Sequence, residues 1–221
     1  MWAEQAIFTS LPRRRQGGYH LVSRSRGVGE TEAQALARWA PSHGALIADE
    51  GNRISVNFAA LPSGRFALSR TCTGPAEYSG RGGLQLYNHY LIVDESVLQA
   101  VGFQPFSLYH DAMALGHLLY QPDPAELLEP VPLSQLHPPR DARFWADRAV
   151  ELDLPALGPL RDRLQSGHPL RFAYAGDRTA LAECLIGILS PECVRRTSFS
   201  TSLVPSSARP LLLTLVDETS R

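Results

Sequence analysis

Apolar and polar residues alternate in several short segments of the first half of the chain, which is the spacing of half-buried β-strands. The alternation is strict over residues 53–58 and returns over residues 65–70, and the LPSG segment between them supplies a turn. These two segments predict a β-hairpin. Two earlier strands are predicted at residues 5–10 and 19–24, joined by a connection rich in glycine and proline.

The longest strand pattern covers residues 84–93, and apolar residues occupy both of its faces. A strand of this kind is expected at the centre of a sheet that is covered on both sides. Gly80-Arg81-Gly82-Gly83 lies directly before it, and His89 lies near its middle.

Helical spacing appears first after residue 30, where Thr31 and Gln34 form a T-x-x-Q capping box and the apolar stripe ends before Pro41. Further elements follow in the second half of the chain. Helices are predicted at residues 96–101, at 111–120 with Asp111 as cap, at 156–165 and after Asp177, and strands at 170–174 and 211–216.

The order of elements predicts an α+β fold with a mostly antiparallel N-terminal sheet and a mixed helix and strand C-terminal half. Residues 121–142 are rich in proline and predict an extended crossing segment. We expect residues 1–221 to form a single compact unit, with this crossing as the place of any sub-boundary.

Composition excludes several classes of protein. No apolar run approaches the about 18–20 residues that span a bilayer, so we expect a cytoplasmic protein without a membrane partner. The three cysteines form no C-x-x-C pair, which disfavours a disulfide framework or a zinc site. All 21 basic residues are arginines against 22 acidic residues, a balance that argues against nucleic-acid binding.

The glycine-rich turn and the histidine after it are the candidate anion site, formed by Arg81, Gly82, Gly83 and His89. In the functional interpretation, Arg81 neutralises an anion and His89 acts as a general base in a hydrolase or phosphoester-acting enzyme. In the structural interpretation, the glycines form a turn into a central strand and His89 packs in the core. The turn precedes a strand rather than a helix, which favours the structural interpretation.

Arginines cluster near the N-terminus, where residues 1–81 hold ten of them against six acidic residues. Arg13, Arg14, Arg15, Arg24 and Arg26 are either solvated loop residues or a surface for an acidic partner. No Walker, G-x-S-x-G or metal-ligand motif occurs, so the sequence predicts no catalytic residues, metal or cofactor and favours a binding module over an enzyme.

The order of several segments resembles the N-terminal domain (type 2) of bacterial GTPase-associated proteins. The resembling segments are QAIFTS, GGYHLVSRSRGV, FAALPSGRFALSRT, GRGGLQLYNHYLIVD and RRTSFSTS, which lie between residues 5 and 202. The resemblance implies a non-enzymatic adaptor that works with a small Ras-like GTPase and companion proteins in a bacterial conflict or signalling system. It carries over no catalytic residues.

Overall fold

The structure is a computed structural model that describes residues 1–12, 17–47, 49, 53–78, 82–136, 138–209 and 211–218. These residues form ten strands and seven helices. The strands are β1 (Trp2–Ser10), β2 (Tyr19–Ser25), β3 (Ile54–Ala60), β4 (Phe66–Ala76), β5 (Leu84–Val93), β6 (Leu127–Leu128), β7 (Val131–Pro132), β8 (Leu170–Ala173), β9 (Phe199–Ser200) and β10 (Leu213–Val216). The helices are α1 (Glu30–Trp39), α2 (Glu95–Ala100), α3 (Pro105–Ala114), α4 (Ala142–Glu151), α5 (Leu157–Gln165), α6 (Arg178–Gly187) and α7 (Pro191–Arg196).

One mixed sheet connects the two halves of the chain. Its strand order is β6-β2-β1-β5-β4-β3-β9-β10-β8, and β7 pairs separately with β1. Strands β1 to β5 pair antiparallel with one another, whereas β6 is parallel to β2, and β8 and β9 are parallel to β10. The antiparallel pairing of β3 with β9 continues the N-terminal sheet into the C-terminal half. The α+β prediction is therefore confirmed, including its mostly antiparallel N-terminal part.

The predicted hairpin and the predicted central strand are both present. Strands β3 and β4 pair in a continuous register that includes Phe58 opposite Leu68. Strand β5 lies between β1 and β4 and is buried from Gln85 to Val93. The crossing segment is extended, and its short strands β6 and β7 pair with β2 and β1.

Helices pack against both faces of the sheet. Helices α2 to α7 cover one face and share a large apolar core with strand residues such as Phe58, Leu91 and Phe199. The Phe58 and Phe199 rings stack with centroids 5.7 Å apart, which ties β3 to β9. Helix α1 covers part of the opposite face, above Ala6 and Tyr90. Each fully buried large apolar side chain contributes about 1.5–3 kcal/mol to stability.

Helix α1 begins earlier than the capping-box pattern predicts. Gly29 is the N-cap, and the Glu32 carboxylate accepts from the Gly29 N–H at 3.1 Å. The predicted cap Thr31 therefore lies inside the first turn. The reason is that a glutamate at the third helical position satisfies the free backbone N–H even when the N-cap residue has no side chain.

Helix α3 begins at Pro105, so the predicted cap Asp111 was wrong. Proline is favourable at the first helical position because it lacks the N–H that would be unpaired there. Asp111 instead lies near the end of α3, and its carboxylate accepts from the backbone N–H of Leu136 at 3.2 Å. It therefore fastens the crossing segment to the helix.

Helix α4 has no counterpart among the elements that the sequence predicts. The sequence predicts no element between the crossing segment, which ends at residue 142, and the helix that begins at residue 156. In the structure α4 begins at residue 142, and the carboxylate of its N-cap Asp141 accepts from the Phe144 N–H at 2.8 Å.

No helix among the described residues combines the length and apolarity that crossing a membrane requires. All three cysteines are buried free thiols.

Candidate functional site

The described part of the candidate partner surface lies at the end of β2 and in the turn that leads into α1. Arg24 donates from Nη1 to Glu30 Oε2 at 3.0 Å, and both side chains are exposed. Arg26 is exposed and makes no hydrogen bond or ion pair with any residue that the structure describes. Its guanidinium is therefore available to an acidic partner.

The turn that carries Arg26 is held in place from two sides. A Cβ at Gly27 would lie 2.3 Å from the Glu4 carboxylate, so a larger residue at this position would require the Glu4 side chain to move. The Val28 N–H donates to the Ser25 carbonyl at 3.1 Å. Arg65, in the turn between β3 and β4, donates to the Gly27 carbonyl at 2.9 Å. Arg26 thus projects from a fixed backbone.

Arg65 is a structural residue rather than part of a free basic surface. Its Nε donates to the buried Glu32 carboxylate at 2.8 Å, and its Nη2 donates to the other oxygen of that carboxylate. Burial on its own raises the pKa of Glu32, but the hydrogen bonds from Arg65, Ser63 and the Gly29 N–H lower it below its usual value. The pair fastens the start of α1 to the β3–β4 turn.

The five arginines predicted as one surface divide into two groups. Arg13, Arg14 and Arg15 lie outside the described residues. The described flanks of that segment, Pro12 and Gly17, lie before β2, whereas Arg26 lies after it. The seven residues of β2 separate the two ends by about 20 Å.

The members of the candidate anion site are also separated. Arg81 lies outside the described residues, and Gly82 and Gly83 have φ angles of 77° and 81°, which place them in the left-handed region that glycine adopts in turns. His89 lies six residues further along β5, about 20 Å from the turn. A histidine at that distance cannot act on an anion held by the glycines.

His89 is fully buried on the sheet face that packs against α2 to α7. Its Nε2 lies 2.9 Å from Gln5 Oε1, and Arg70 is its neighbour on β4. Burial lowers the pKa of His89 to about 4, and the nearby positive charge of Arg70 acts in the same direction. The imidazole is therefore neutral at pH 7 and inaccessible to a substrate in solution.

The hydroxyl-rich segment before residue 203 is buried and makes internal contacts. Ser200 Oγ lies 3.1 Å from Ser55 Oγ, and Ser202 Oγ accepts from the Nε of Arg178 at 3.1 Å. Sequence patterns do not single out Arg178, although its side chain is completely buried. The Asp177 cap signal beside it predicts the helix start but says nothing of the arginine's partners.

Comparison with known proteins assigns the first part of this fold to a family. The model of the family described as GTPase-associated protein 1, N-terminal domain type 2, matches residues 2–132, more than half of the chain. The chain belongs to this family. No curated protein and no solved structure was found to match it.

The family region contains β1 to β7 and α1 to α3, including the turn that carries Arg26. The residues after it add α4 to α7 and β8 to β10, and β9 extends the family sheet at β3. Within the described residues, no group of three or more histidine, cysteine, aspartate or glutamate side chains is arranged to hold a metal ion.

Proposed function

We propose that this protein is an adaptor that binds a small Ras-like GTPase and acts with companion proteins in a bacterial conflict or signalling system. The observation that carries the proposal is the family match over residues 2–132, because the family is described by its association with a GTPase. A cytoplasmic location follows from the proposed partner. The hydrolase alternative has no support in the geometry, because its proposed base His89 is closed to solvent.

We place the GTPase contact at the turn that carries Arg26, with Arg24 beside it. A cation on a fixed turn loses little conformational freedom on binding, which favours recognition. Exposed arginines also raise the rate of association with an acidic surface, and salt weakens this effect. The segment with Arg13, Arg14 and Arg15 is a second basic group for the same partner.

Charge reversal at both groups, with Arg13, Arg14, Arg15, Arg24 and Arg26 changed to glutamate, is expected to reduce GTPase recovery at least about tenfold at low salt. The measurement is a pull-down of a small Ras-like GTPase from the same organism, loaded with GDP or with a non-hydrolysable GTP analogue. Reversal of each group by itself shows which end of β2 carries the contact.

The matched control changes Arg143 to glutamate, because this exposed side chain of α4 lies outside the family region. We expect this variant to recover as much GTPase as the unchanged protein. Equal recovery by the charge-reversed variants would refute the proposed surface. Failure of the unchanged protein to recover the GTPase in either nucleotide state would refute the adaptor function.

A further inference from the structure

Trp2, at the start of β1, is the most exposed large apolar side chain among the described residues of the family region, with an exposed fraction of 64%. Tryptophan is highly buried on average in folded proteins, because its indole carries a large apolar surface. Covering this indole with a partner would remove that surface from water, which is favourable. The arginine contact proposed above does not use this side chain.

Trp2 lies on the same face of the sheet as Arg24. The β1–β2 register places Ala6 opposite Arg24, and Ala6 packs under α1. Side chains alternate between the two faces along a strand, so Trp2 lies on the face of Ala6 and Arg24. Leu127 is opposite Arg24 on β6 and is also exposed. This face therefore presents apolar side chains on both sides of Arg24.

The turn that carries Arg26 lies close to Trp2 on this face. The Glu4 carboxylate lies against Gly27, the residue after Arg26, and its Oε2 is shielded from solvent. Two residues of strand separate Trp2 from Glu4, a distance of about 7 Å. The indole and the Arg26 guanidinium therefore fit within one protein interface of ordinary size.

The backbone at Trp2 is fixed from both sides. Trp2 and Ala3 pair with β7, where Pro132 is opposite Trp2. The Met1 ammonium donates to the Leu133 carbonyl at 3.2 Å, and the Leu133 N–H donates to the Met1 carbonyl at 2.8 Å. Only the two side-chain torsions of Trp2 are left to be ordered when a partner binds, so the entropy cost of binding is low.

We propose that Trp2 is the apolar anchor of the GTPase contact, and that its indole enters an apolar recess of the GTPase while Arg26 meets acidic side chains beside that recess. This inference rests on the proposed adaptor function, since the family description names a GTPase and the family match includes Trp2. Tryptophan and arginine are the residues in which interface hot spots are most enriched, and hot spots cluster near the centre of an interface.

Replacement of Trp2 by alanine is expected to weaken GTPase binding at least about tenfold. The loss should come mainly from faster dissociation and leave the salt dependence unchanged, because the indole is uncharged. Arg26→Glu instead slows association and makes the affinity less sensitive to salt. The measurement is biolayer interferometry at low and high salt, with the small Ras-like GTPase immobilised in the nucleotide state that the pull-down recovers.

The matched control is Phe144→Ala, because Phe144 is an exposed aromatic residue of α4 outside the family region. We expect this variant to bind the GTPase as tightly as the unchanged protein does. Trp2→Phe keeps an aromatic ring of smaller area and is expected to bind with intermediate affinity.

A second measurement observes the indole in the unchanged protein. Incorporation of 5-fluorotryptophan into this chain gives one fluorine NMR signal for each of its three tryptophans, and Trp2→Phe identifies the signal of Trp2. Addition of GTPase without the label is expected to shift or broaden that signal, because the indole leaves water for the partner's recess.

Equal GTPase affinity of Trp2→Ala and the unchanged protein would overturn the anchor and leave the adaptor function standing, as would a Trp2 signal that bound GTPase does not alter. If the unchanged protein binds the GTPase in neither nucleotide state, the adaptor function is refuted and the anchor with it. Light scattering tests whether a second copy of this chain covers the indole. A dimer of the unchanged protein that Trp2→Ala converts to a monomer would also overturn the proposal.

Discussion

Replacement of Arg178 by alanine is expected to lower the free energy of unfolding by about 3–5 kcal/mol. The buried guanidinium donates from Nη1 to Asp49 Oδ2 at 2.8 Å, from Nη2 to the Ile47 carbonyl at 3.1 Å and from Nε to Ser202 Oγ at 3.1 Å. Alanine leaves these groups without their donor and leaves a cavity where the side chain packed. The start of α6 would then lose its connection to the loop after α1.

The measurement is urea unfolding at pH 7, compared with the unchanged protein. Arg148→Ala is the control, because the Arg148–Glu151 pair on α4 is exposed and its loss is expected to cost no more than about 0.5 kcal/mol. Asp49→Asn tests the same contact from the other side, since it removes the negative charge of Asp49 beside the buried Arg178 guanidinium. A loss of less than about 1 kcal/mol in Arg178→Ala would show that the buried contacts contribute little.

The second large effect is a loss of stability on acidification that depends on His89. The pKa of His89 is about 4 in the folded protein against 6.5 as its ordinary value. Between these values the unfolded chain binds a proton that the folded protein does not bind, so stability falls as the pH falls. The difference corresponds to about 3 kcal/mol from this side chain. Above pH 6.5 the histidine is neutral in both states and contributes no pH dependence.

The measurement is the free energy of unfolding between pH 7 and pH 4. His89→Gln is expected to be less stable at pH 7, because a packed residue is changed, but to lose about 3 kcal/mol less than the unchanged protein on acidification. His168→Gln is the control at an exposed position and should follow the unchanged protein. Parallel pH profiles for His89→Gln and the unchanged protein would contradict the assignment.

Strand predictions succeeded where the pattern was local. The β3–β4 hairpin follows from alternating residues and a four-residue turn, and the central position of β5 follows from apolar residues on both of its faces. Helix starts were less predictable because several residues compete as caps. Gly29 rather than Thr31 is the N-cap of α1, with Glu32 accepting from its N–H, and α3 begins at Pro105, well before Asp111.

The grouping of residues into candidate sites was harder to predict from local sequence pattern than the strands were. Arg24 and Arg26 have neighbouring positions in sequence and in space, because a short turn joins them. The anion site was grouped by sequence proximity, but six residues of extended strand hold His89 far from Gly83.

The amino-acid sequence by itself determined seven of the ten strands, where the β3–β4 turn lies and that Asp177 caps α6. These properties depend on residues within a few positions of each other, so periodicity and turn chemistry report them directly. Only the tertiary structure decided that His89 is enclosed and that Arg178 meets an aspartate 129 residues away. The reason is physical: burial and charge pairing depend on which distant segments pack together, and no local spacing specifies that.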